Sequence, residues 1–382
     1  MKRKALALIF ALLVSLVVGV QPAKSSSKTI IVPDNYPTIQ AAIDNAAEGD
    51  TIFVKKGVYV ENPVVNKSVS LVGEDRDSTV IDVTAGLKVQ KDNVTIMRFT
   101  IYDGWAGISL SADYCNISGN KITDATIGVQ VFSSENNYVT GNTFRSIGYS
   151  AAIQLSYSNN NLLNNNYIDS CTEGIQLRAG SSNNTVLENT ITNCQYVAVR
   201  LLGEYSPPRW YYPDGNTIMR NNISNSGCGT TVYGSNGNII SNNNYVNNTF
   251  QFSANEDYLV TWGGKVSVNT IEENYWSDYN GTDADGDGIG DTPHILYENN
   301  MDHYPLMKPV DIPELPDGTS GIPELPDGAG ENGTDETEPF PTTWIVAAIV
   351  IIAVVGVALL VYFRKIRKTT GEGENVTPEG VM

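Results

Sequence analysis

The chain has 382 residues and a formal charge of −18 at neutral pH. This length indicates one large domain with appended segments, and the negative charge disfavours nucleic acid and anionic membrane surfaces as partners. Charged residues make up only 17% of the chain while Gly and Asn are abundant, a composition that favours tight turns and stacked strands over helices.

The N-terminus has the pattern of a secretory signal peptide. Lys2, Arg3 and Lys4 precede an uninterrupted apolar run from Ala5 to Val20. A basic stretch followed by about 7–15 apolar residues is typical of such a peptide, whereas an anchor helix needs roughly 20 apolar residues to span the hydrocarbon. We therefore predict a signal peptide over residues 1–23, with cleavage near Ala23.

A capping element is predicted next. Pro37 to Ala47 has the pattern of a short amphipathic helix, and Thr51–Val54, Gly57–Val60 and Val69–Val72 have the pattern of strands. A solenoid end that is left uncovered exposes unpaired strand edges, so such an element suits the start of a repeat domain.

The middle of the chain repeats itself every 21 to 24 residues, apart from one longer interval. One motif has an apolar residue, a variable polar residue and a second apolar residue after Gly or Ala. It starts at Gly107, Gly128, Ala152, Gly174 and Ala198. A second motif, Asn-x-apolar, keeps step with it at Asn120, Asn142, Asn166, Asn189, Asn221 and Asn244.

This period fits coils of three short strands and three turns. The strands alternate apolar and polar residues, so each coil has an inward apolar face that only a neighbouring coil can cover. Asn suits the turns because it tolerates left-handed backbone angles and because its amide can hydrogen-bond to the next coil. A leucine-rich repeat is the alternative, but it would need several leucines and a helical segment in each repeat.

These motifs resemble a known family. Thr38–Ile43, Gly49–Tyr59 and the repeated coils, together with Asn274–Tyr279, Gly288–Pro293 and Tyr304–Met307, are similar to the NosD-type, carbohydrate-binding-and-sugar-hydrolase group of pectin-lyase-like proteins. The resemblance covers roughly residues 29–309. It implies an all-β, single-stranded right-handed parallel β-helix with an N-terminal capping helix, and a surface protein similar to those of archaeal cells.

The resemblance also implies that the outer face of one strand column carries a sugar groove. In the Gly-Ile-x-Leu strands the variable residue points outward, so Ser109, Gln130, Gln154, Gln176 and Arg200 form one predicted column. Amides both donate to and accept from hydroxyl groups, which favours carbohydrate binding. The alternative is the solvated polar column that any solenoid needs.

The long interval inserts Gly203 to Gly215 just after Arg200, so this loop is predicted to overhang the column. Trp210, Tyr211 and Tyr212 are candidates to stack on sugar faces, and Arg209 is a candidate to pair with a carboxylate. The alternative is an aromatic plug that packs on the side of the solenoid.

Catalysis is less favoured than binding. A glycosidase needs two carboxyl groups on either side of one bond, and the predicted column contains no Asp or Glu. Asp124, Asp169 and Glu173 are predicted to lie in turns before the strands. A polysaccharide lyase, hydrolase or esterase of the pectin-lyase-like fold stays open as the alternative.

An acidic loop near the end of the repeats is a candidate Ca²⁺ site with a structural role. Asp283, Asp285, Asp287 and Asp291 would supply carboxylates and Ile289 its carbonyl, with Gly288 at the tight turn. Position twelve is His294 instead of the usual Glu, so Asp278 or Asp302 is considered as the remaining ligand. An Asp-Gly turn without metal is the alternative.

The NosD resemblance raises a copper accessory role as a further alternative. Soft ligands are sparse, because the chain has two histidines and a single His/Met cluster, Met301, His303 and Met307. Copper is therefore disfavoured. Cys171 and Cys194 occupy equivalent repeat positions and are predicted to be stacked core residues, with a disulfide left open.

The C-terminal part has the pattern of a membrane anchor. Residues 311–342 are Pro- and acid-rich and predict an extended stalk. Trp344 to Phe363 matches the bilayer core, and four basic residues follow, which predicts a single transmembrane helix over 344–363 and a cytoplasmic tail over 364–382. Asn-x-Ser/Thr sites in the rest of the chain suit a surface glycoprotein.

The sequence therefore predicts a membrane-anchored β-helix ectodomain over residues 29–310, exposed outside the cell. Its favoured function is non-catalytic, either binding a glycan or wall polymer or serving a structural role at the surface.

Overall fold

The computed structural model describes residues 27–254, 268–297 and 300–313. The chain divides into two compact units, residues 1–323 and 324–382, and all described residues belong to the first. The predicted signal peptide, transmembrane helix and cytoplasmic tail, and the stalk beyond Pro313, lie outside these residues. The described ranges contain no helix long and apolar enough to cross a membrane.

One helix precedes the coils. This helix, α1 (Ile39–Asn45), begins after Thr38, whose side-chain hydroxyl accepts a hydrogen bond from the Ala41 amide. Ile39, Ala42 and Ile43 on its inner face are buried against the first coils. The predicted capping helix is thus present, and it covers one end of the apolar core.

The strands are short, because each strand ends in a turn after two to six residues. In chain order they are β1 (Thr29–Val32), β2 (Thr51–Val54), β3 (Gly57–Val60), β4 (Val64–Val65), β5 (Ser70–Gly73), β6 (Thr79–Asp82), β7 (Leu87–Val89), β8 (Thr95–Met97), β9 (Thr100–Tyr102), β10 (Ala106–Leu110), β11 (Asn116–Ser118), β12 (Lys121–Thr123), β13 (Ile127–Phe132), β14 (Tyr138–Thr140), β15 (Thr143–Arg145), β16 (Ala151–Ser156), β17 (Leu162–Asn164), β18 (Tyr167–Asp169), β19 (Glu173–Arg178), β20 (Thr185–Leu187), β21 (Thr190–Thr192), β22 (Val197–Leu202), β23 (Glu204–Ser206), β24 (Arg209–Tyr211), β25 (Thr217–Met219), β26 (Asn222–Ser224), β27 (Cys228–Tyr233), β28 (Ile239–Ser241), β29 (Asn244–Val246), β30 (Phe250–Ser253), β31 (Thr270–Glu272), β32 (Tyr275–Trp276), β33 (His294–Tyr297) and β34 (Asn300–Asp302).

Three parallel sheets form the walls of a right-handed parallel β-solenoid of about ten coils. Sheet 1 has the order β1-β2-β5-β8-β11-β14-β17-β20-β25-β28-β31, and sheet 2 has β3-β6-β9-β12-β15-β18-β21-β26-β29-β32. Sheet 3 has β4-β7-β10-β13-β16-β19-β22-β27-β30. Two antiparallel hairpins, β23-β24 and β33-β34, stand outside the coils.

The core is a set of vertical apolar rows, as the repeat predicts. Ile108 is in register with Val129, Val129 with Ile153, and Ile153 with Ile175, and all four side chains are fully buried. Burying a side chain of this size contributes about 1.5–3 kcal/mol. The rows of the three sheets merge into one apolar core that runs through the described coils.

An asparagine ladder joins the coils at the turn between sheets 1 and 2. The amide of Asn142 donates to the side-chain oxygen of Asn166 at 3.1 Å, and the same bond recurs from coil to coil. The ladder residues are fully buried, and they are Asn120, Asn142, Asn166, Asn189, Asn221, Asn243 and Asn274. The predicted coil-to-coil bonding is therefore present, with Asn243 in the ladder and its neighbour Asn244 outside it.

The reason for asparagine at this turn differs in part from the prediction. The left-handed residue is the one before each ladder asparagine, such as Gly119 at φ 61° or Glu188 at φ 53°. The ladder asparagine itself has no positive φ. Its amide is thus selected for hydrogen bonding rather than for backbone conformation.

Asp302 closes this ladder. One carboxylate oxygen accepts from Asn274 N, Asn274 Nδ2 and Trp276 Nε1, and the other accepts from Glu273 N and Tyr304 N. A further asparagine would bring two donors of its own, whereas a carboxylate only accepts. The carboxylate of Asp302 therefore accepts from the hydrogen-bond donors of the last coil, and no further coil is needed to pair them.

The last described residues run back along the outside of sheet 2. Asn244 exchanges two hydrogen bonds with the backbone of Val310, and Arg220 donates to the carbonyl of Asp311 at 3.0 Å. Ile312 is buried. The packed part of the chain thus extends two residues past the predicted domain end at residue 310.

Candidate functional site

A row of outward-facing side chains crosses sheet 3, at the position that the repeat predicts. Strand register places Gln130, Gln154, Gln176 and Arg200 side by side in successive coils. Lys88 and Ser109 continue this row at one end, and Thr231 and Ser253 at the other. We call it the polar row.

The three glutamines bond mainly to one another and to their neighbours. Gln130 Nε2 donates to Gln154 Oε1 at 3.5 Å, and Gln154 Nε2 donates to Gln176 Oε1 at 2.8 Å. Gln154 and Gln176 are buried, with 5% and 6% exposure, whereas Gln130 and Arg200 are partly exposed. A ligand would therefore meet Gln130 and Arg200 before the other two.

Glu173 is a member of this site that the sequence prediction placed elsewhere. It was assigned to a turn, but it is the first residue of β19, and Gln176 Nε2 donates to its carboxylate at 3.1 Å. Its other oxygen pairs with Arg200 at 2.9 Å. At the same register position the neighbouring coils carry the apolar residues Ala151 and Val197. The presence of an acid at this position is the feature of the sequence that could have identified Glu173 as part of the site.

Two opposing effects act on the carboxyl of Glu173. Burial raises the pKa of its carboxyl above the usual value, and the Arg200 guanidinium opposes this without cancelling it. Beside this pair, Arg200 Nε and Thr231 Oγ1 are buried polar atoms without a hydrogen-bond partner among the described residues. The Arg200 end of the polar row therefore keeps unused donors and acceptors.

The insertion after β22 forms an antiparallel hairpin, β23-β24, beside sheet 3. Arg178, at the end of β19, donates from Nε and Nη2 to Glu204 of the hairpin at 2.9 and 2.7 Å. The ring of Tyr211 packs edge-on against Tyr157, with centroids 5.3 Å apart. The hairpin is thus attached to coils that precede it in the chain, two residues along the strand from the polar row.

The hairpin presents an aromatic cluster. Trp210 stacks on Tyr212 with centroids 5.9 Å apart and an interplanar angle of 5°, and it also contacts Tyr205. Tyr205 and Arg209 are exposed, while Trp210, Tyr211 and Tyr212 are half-buried. The packing of Tyr211 on Tyr157 agrees with the alternative of an aromatic plug, while sugar stacking by the cluster stays a prediction.

The acidic loop brings three of its five predicted ligands together. Carboxylate oxygens of Asp283, Asp285 and Asp287 lie within 4.8 Å of one another. Gly288 has a φ of 90°, as the tight turn requires, and its amide donates to Asp283 at 3.0 Å. Asp291 accepts from the Ala284 amide at 2.9 Å, which ties it to the start of the loop. These oxygen donors are of the type that a hard cation such as Ca²⁺ prefers.

The two residues considered in place of the missing glutamate have other contacts. Asp302 is fully buried in the ladder cap, where it accepts five hydrogen bonds, so its assignment as a substitute ligand is wrong. Asp278 lies 3.3 Å from His294 Nε2. His294 itself packs against Trp276 and Tyr279.

Among the described residues, the acidic loop is the only group of three or more His, Cys, Asp or Glu side chains placed to hold a metal ion. Met301 pairs with Ile295 in the β33-β34 hairpin, and the amide of Met307 bonds to the Gly288 carbonyl. The four cysteines are free and buried, and burial raises the pKa of Cys115 to about 11 and that of Cys171 to about 12. Protonated, enclosed thiols are poor metal ligands, so the residues present do not fit copper.

Comparison with known proteins gives the family and two kinds of similarity. The family model described as periplasmic copper-binding protein (NosD) matches residues 43–281. A cell surface glycoprotein of Methanothermus fervidus is 31% identical over 145 residues, a stretch that covers 36% of this chain and 22% of the glycoprotein. The chain therefore matches about a fifth of the length of that relative.

Two of the solved structures that resemble the chain are alginate lyases. An alginate lyase from Paenibacillus is 15% identical, with 64% of this chain and 98% of that chain covered and a TM-score of 0.43. A PL6 alginate lyase in complex with a trisaccharide is 13% identical, with coverages of 69% and 62% and a TM-score of 0.47. These likenesses assign no activity to this chain. The match of the family model over most of the chain does assign the family, and the protein belongs to the NosD family of β-helix proteins.

Proposed function

We propose that this protein is a non-catalytic component of the cell surface, anchored by its C-terminal segment, that binds a carbohydrate or wall polymer. The binding surface is the outer face of sheet 3 together with the β23-β24 hairpin. The observation that carries this proposal is the attachment of the hairpin that bears the Trp210 cluster to Arg178, two residues along β19 from the polar row. Aromatic faces next to polar side chains suit sugars, which present apolar ring faces and hydroxyl edges.

The surface offers several hydrogen-bonding groups near these rings. Gln130 and Arg200 are partly exposed, so their amide and guanidinium groups can meet sugar hydroxyls.

The arrangement of acids supports binding over hydrolysis. Glu173 begins β19, whereas Glu204 pairs with Arg178 at the other end of the same strand. The polar row itself contains no Asp or Glu, whereas glycosidases hold two carboxyl groups about 5–9.5 Å apart at the scissile bond. Each acid is also paired with an arginine, which uses its charge within the protein.

The test is binding of the purified protein to insoluble and soluble polysaccharides. The Trp210→Ala, Tyr211→Ala double variant is expected to lose at least tenfold in affinity, because each lost stacking contact is worth about 0.5–1.5 kcal/mol beyond its buried area. A Tyr102→Ala, Tyr138→Ala variant is the matched control, since these exposed tyrosines lie on sheets 2 and 1. Equal affinity of the two double variants would contradict the proposal.

A polysaccharide-active enzyme is the second candidate, and Glu173 is the observation that favours it. A buried carboxyl with a raised pKa is suited to act as a general acid. Release of reducing ends or formation of unsaturated products by the wild type, abolished in Glu173→Gln, would support this candidate. No turnover across neutral and uronic polymers would leave binding alone.

We also propose that the acidic loop binds Ca²⁺ in a structural role. The support is the convergence of three carboxylates around a glycine turn. Its neighbours connect the loop to the end of the solenoid, because Ile289 pairs with Leu306 and the Gly290 amide donates to the Pro305 carbonyl.

A further inference from the structure

The Asn-x-Ser/Thr triplets of the described residues fall into two structural groups. Such a triplet is the acceptor for N-linked glycosylation and suits a surface loop of an exported protein. Two of the asparagines begin a strand and are half-buried, Asn116 of β11 and Asn222 of β26. The others are exposed and lie between strands, and we call them the turn asparagines: Asn66, Asn93, Asn183, Asn247 and Asn280.

The side chains of the turn asparagines have room for a sugar. Among the described residues, none is hydrogen-bonded to the side-chain amide of a turn asparagine. Asn183 shows why, because strand register places Gly215 at the equivalent position of the next coil. A Cβ atom added to Gly215 would lie 2.8 Å from Oδ1 of Asn183, so glycine is what leaves the space above this amide open.

The two strand asparagines are enclosed by their neighbours. Asn116 stands in register between Thr95 and Tyr138, with each neighbouring strand about 4.8 Å away, and its Oδ1 atom is buried. Asn222 accepts a hydrogen bond from Nδ2 of Asn244 at 2.7 Å. A sugar attached to either side chain would have to displace these contacts.

The backbone explains the asparagines of these turns but not the hydroxyl that completes each triplet. Asn93 and Asn183 have φ of 61° and 56°, in the left-handed region that asparagine tolerates. The same turn of two other coils has Asn136 and Asn160 at φ 58° and 56°. Two residues further on, however, those two coils carry tyrosine and leucine instead of threonine. The turn therefore needs the asparagine and does not need the hydroxyl.

The turn asparagines lie at the corners of the coils and away from the outer faces of the sheets. Three of them are in turns from sheet 3 to sheet 1, one is in the turn from sheet 2 to sheet 3, and Asn280 lies between β32 and β33. Glycans at these corners would leave the polar row accessible.

We propose that the turn asparagines carry N-linked glycans and that Asn116 and Asn222 do not. A glycosyltransferase of the exporting cell supplies the sugar from a lipid-linked phosphate or pyrophosphate donor. The bond between C1 of the sugar and the donor phosphate breaks, and a bond between C1 and the asparagine Nδ2 forms. The amide proton passes to a base of the transferase, and the lipid phosphate leaves. This inference rests on the proposed function, because only a chain exported to the surface meets such a transferase.

The test is mass spectrometry of glycopeptides from the full-length protein, purified from the cells that naturally produce it. Peptides that contain a turn asparagine are expected to carry sugar. Peptides that contain Asn116 or Asn222 are expected to have the mass of the unmodified sequence.

Hydroxyl variants expressed in the same cells sharpen this test. Thr185→Ala and Thr249→Ala remove the acceptor hydroxyls that follow Asn183 and Asn247 and keep both asparagines, so each variant should lose one glycan from the intact mass. Ser118→Ala and Ser224→Ala are the matched controls, since they remove the hydroxyls of the two strand triplets and should lose no glycan.

Sugar on Asn116 or Asn222 at the same occupancy as on Asn183 would contradict the inference, and so would a naturally produced protein without sugar on any turn asparagine. The polysaccharide-binding assay, run on full-length protein made without glycosylation, tests the proposed function separately. Binding of polysaccharide by this protein, with no sugar on the naturally produced one, would refute the inference alone. A glycosylated natural protein that binds no polysaccharide in either form would refute the proposed binding function alone.

Discussion

Replacement of Asp302 by asparagine tests how the solenoid ends. In the native protein the buried carboxylate accepts five hydrogen bonds, two on one oxygen and three on the other. In Asp302→Asn one oxygen becomes an amide that donates instead of accepting. The best rotamer places this amide on the side with two donors, so the backbone N–H groups of Glu273 and Tyr304 lose their acceptor.

The magnitude follows from these two groups. Both bonds are partly buried, so each lost acceptor is taken at the lower end of the cost of a buried donor, about 1 kcal/mol, and the variant is expected to lose about 2 kcal/mol of stability at this end. In a repeat protein such a loss acts first on the terminal coil, because coils contact only their neighbours. Hydrogen exchange should therefore accelerate at the amides of residues 273–276 more than in the central coils.

The assay combines urea denaturation with hydrogen exchange measured by mass spectrometry. Asp278→Asn is the matched control, since that side chain is 58% exposed and its replacement should change stability by less than about 0.5 kcal/mol. If Asp302→Asn unfolds and exchanges like Asp278→Asn, the carboxylate does not close the ladder and the reasoning is wrong.

Three further predictions concern calcium, the thiols and pH. Saturating Ca²⁺ at about a hundred times its dissociation constant should stabilise the protein by about 2.7 kcal/mol, seen as a higher Tm that EGTA reverses; Asp285→Asn should remove this effect, and a Tm independent of Ca²⁺ would exclude the site. Cys171 and Cys228, whose pKa values burial raises to about 12, should resist iodoacetamide in the native protein and react only in urea; rapid native alkylation would contradict their burial. Burial raises the pKa of Glu173 above 4.5, so its ionisation opposes folding, and stability relative to Glu173→Gln should fall as pH rises through the raised pKa; a parallel pH profile of the two proteins would refute this.

The repeating part of the molecule could be predicted because every coil buries its apolar face against its neighbours in the same way. The row through Ile108, Val129 and Ile153 and the ladder through Asn142 and Asn166 follow from residue spacing, since a coil must cover the one before it. The polar row follows for the same reason. These features depend on contacts between equivalent residues of neighbouring coils, and the repeat period shows which residues are equivalent.

The remaining features depend on contacts that the period does not specify. Glu173 stands at an apolar register position, and only its pairing with Arg200 shows why an acid is tolerated there. Alternation of apolar and polar residues predicts which side chains point outward. It does not predict whether an outward side chain is exposed to solvent, so the burial of Gln154 and Gln176 could not be predicted from it. Asp302 reaches the ladder from a non-repeating hairpin, so its role is not visible in the repeat.

The segment from Val310 to Ile312 has a mechanical consequence. Tension applied to the chain beyond Pro313 reaches the two bonds between Val310 and Asn244, the Arg220 bond and the buried Ile312 before it reaches any strand. These contacts lie beside sheet 2 and outside its strand pairing, so they would break while the hydrogen bonds of the three sheets stay intact. In a protein held by its predicted C-terminal anchor, this segment would therefore detach before neighbouring coils separate.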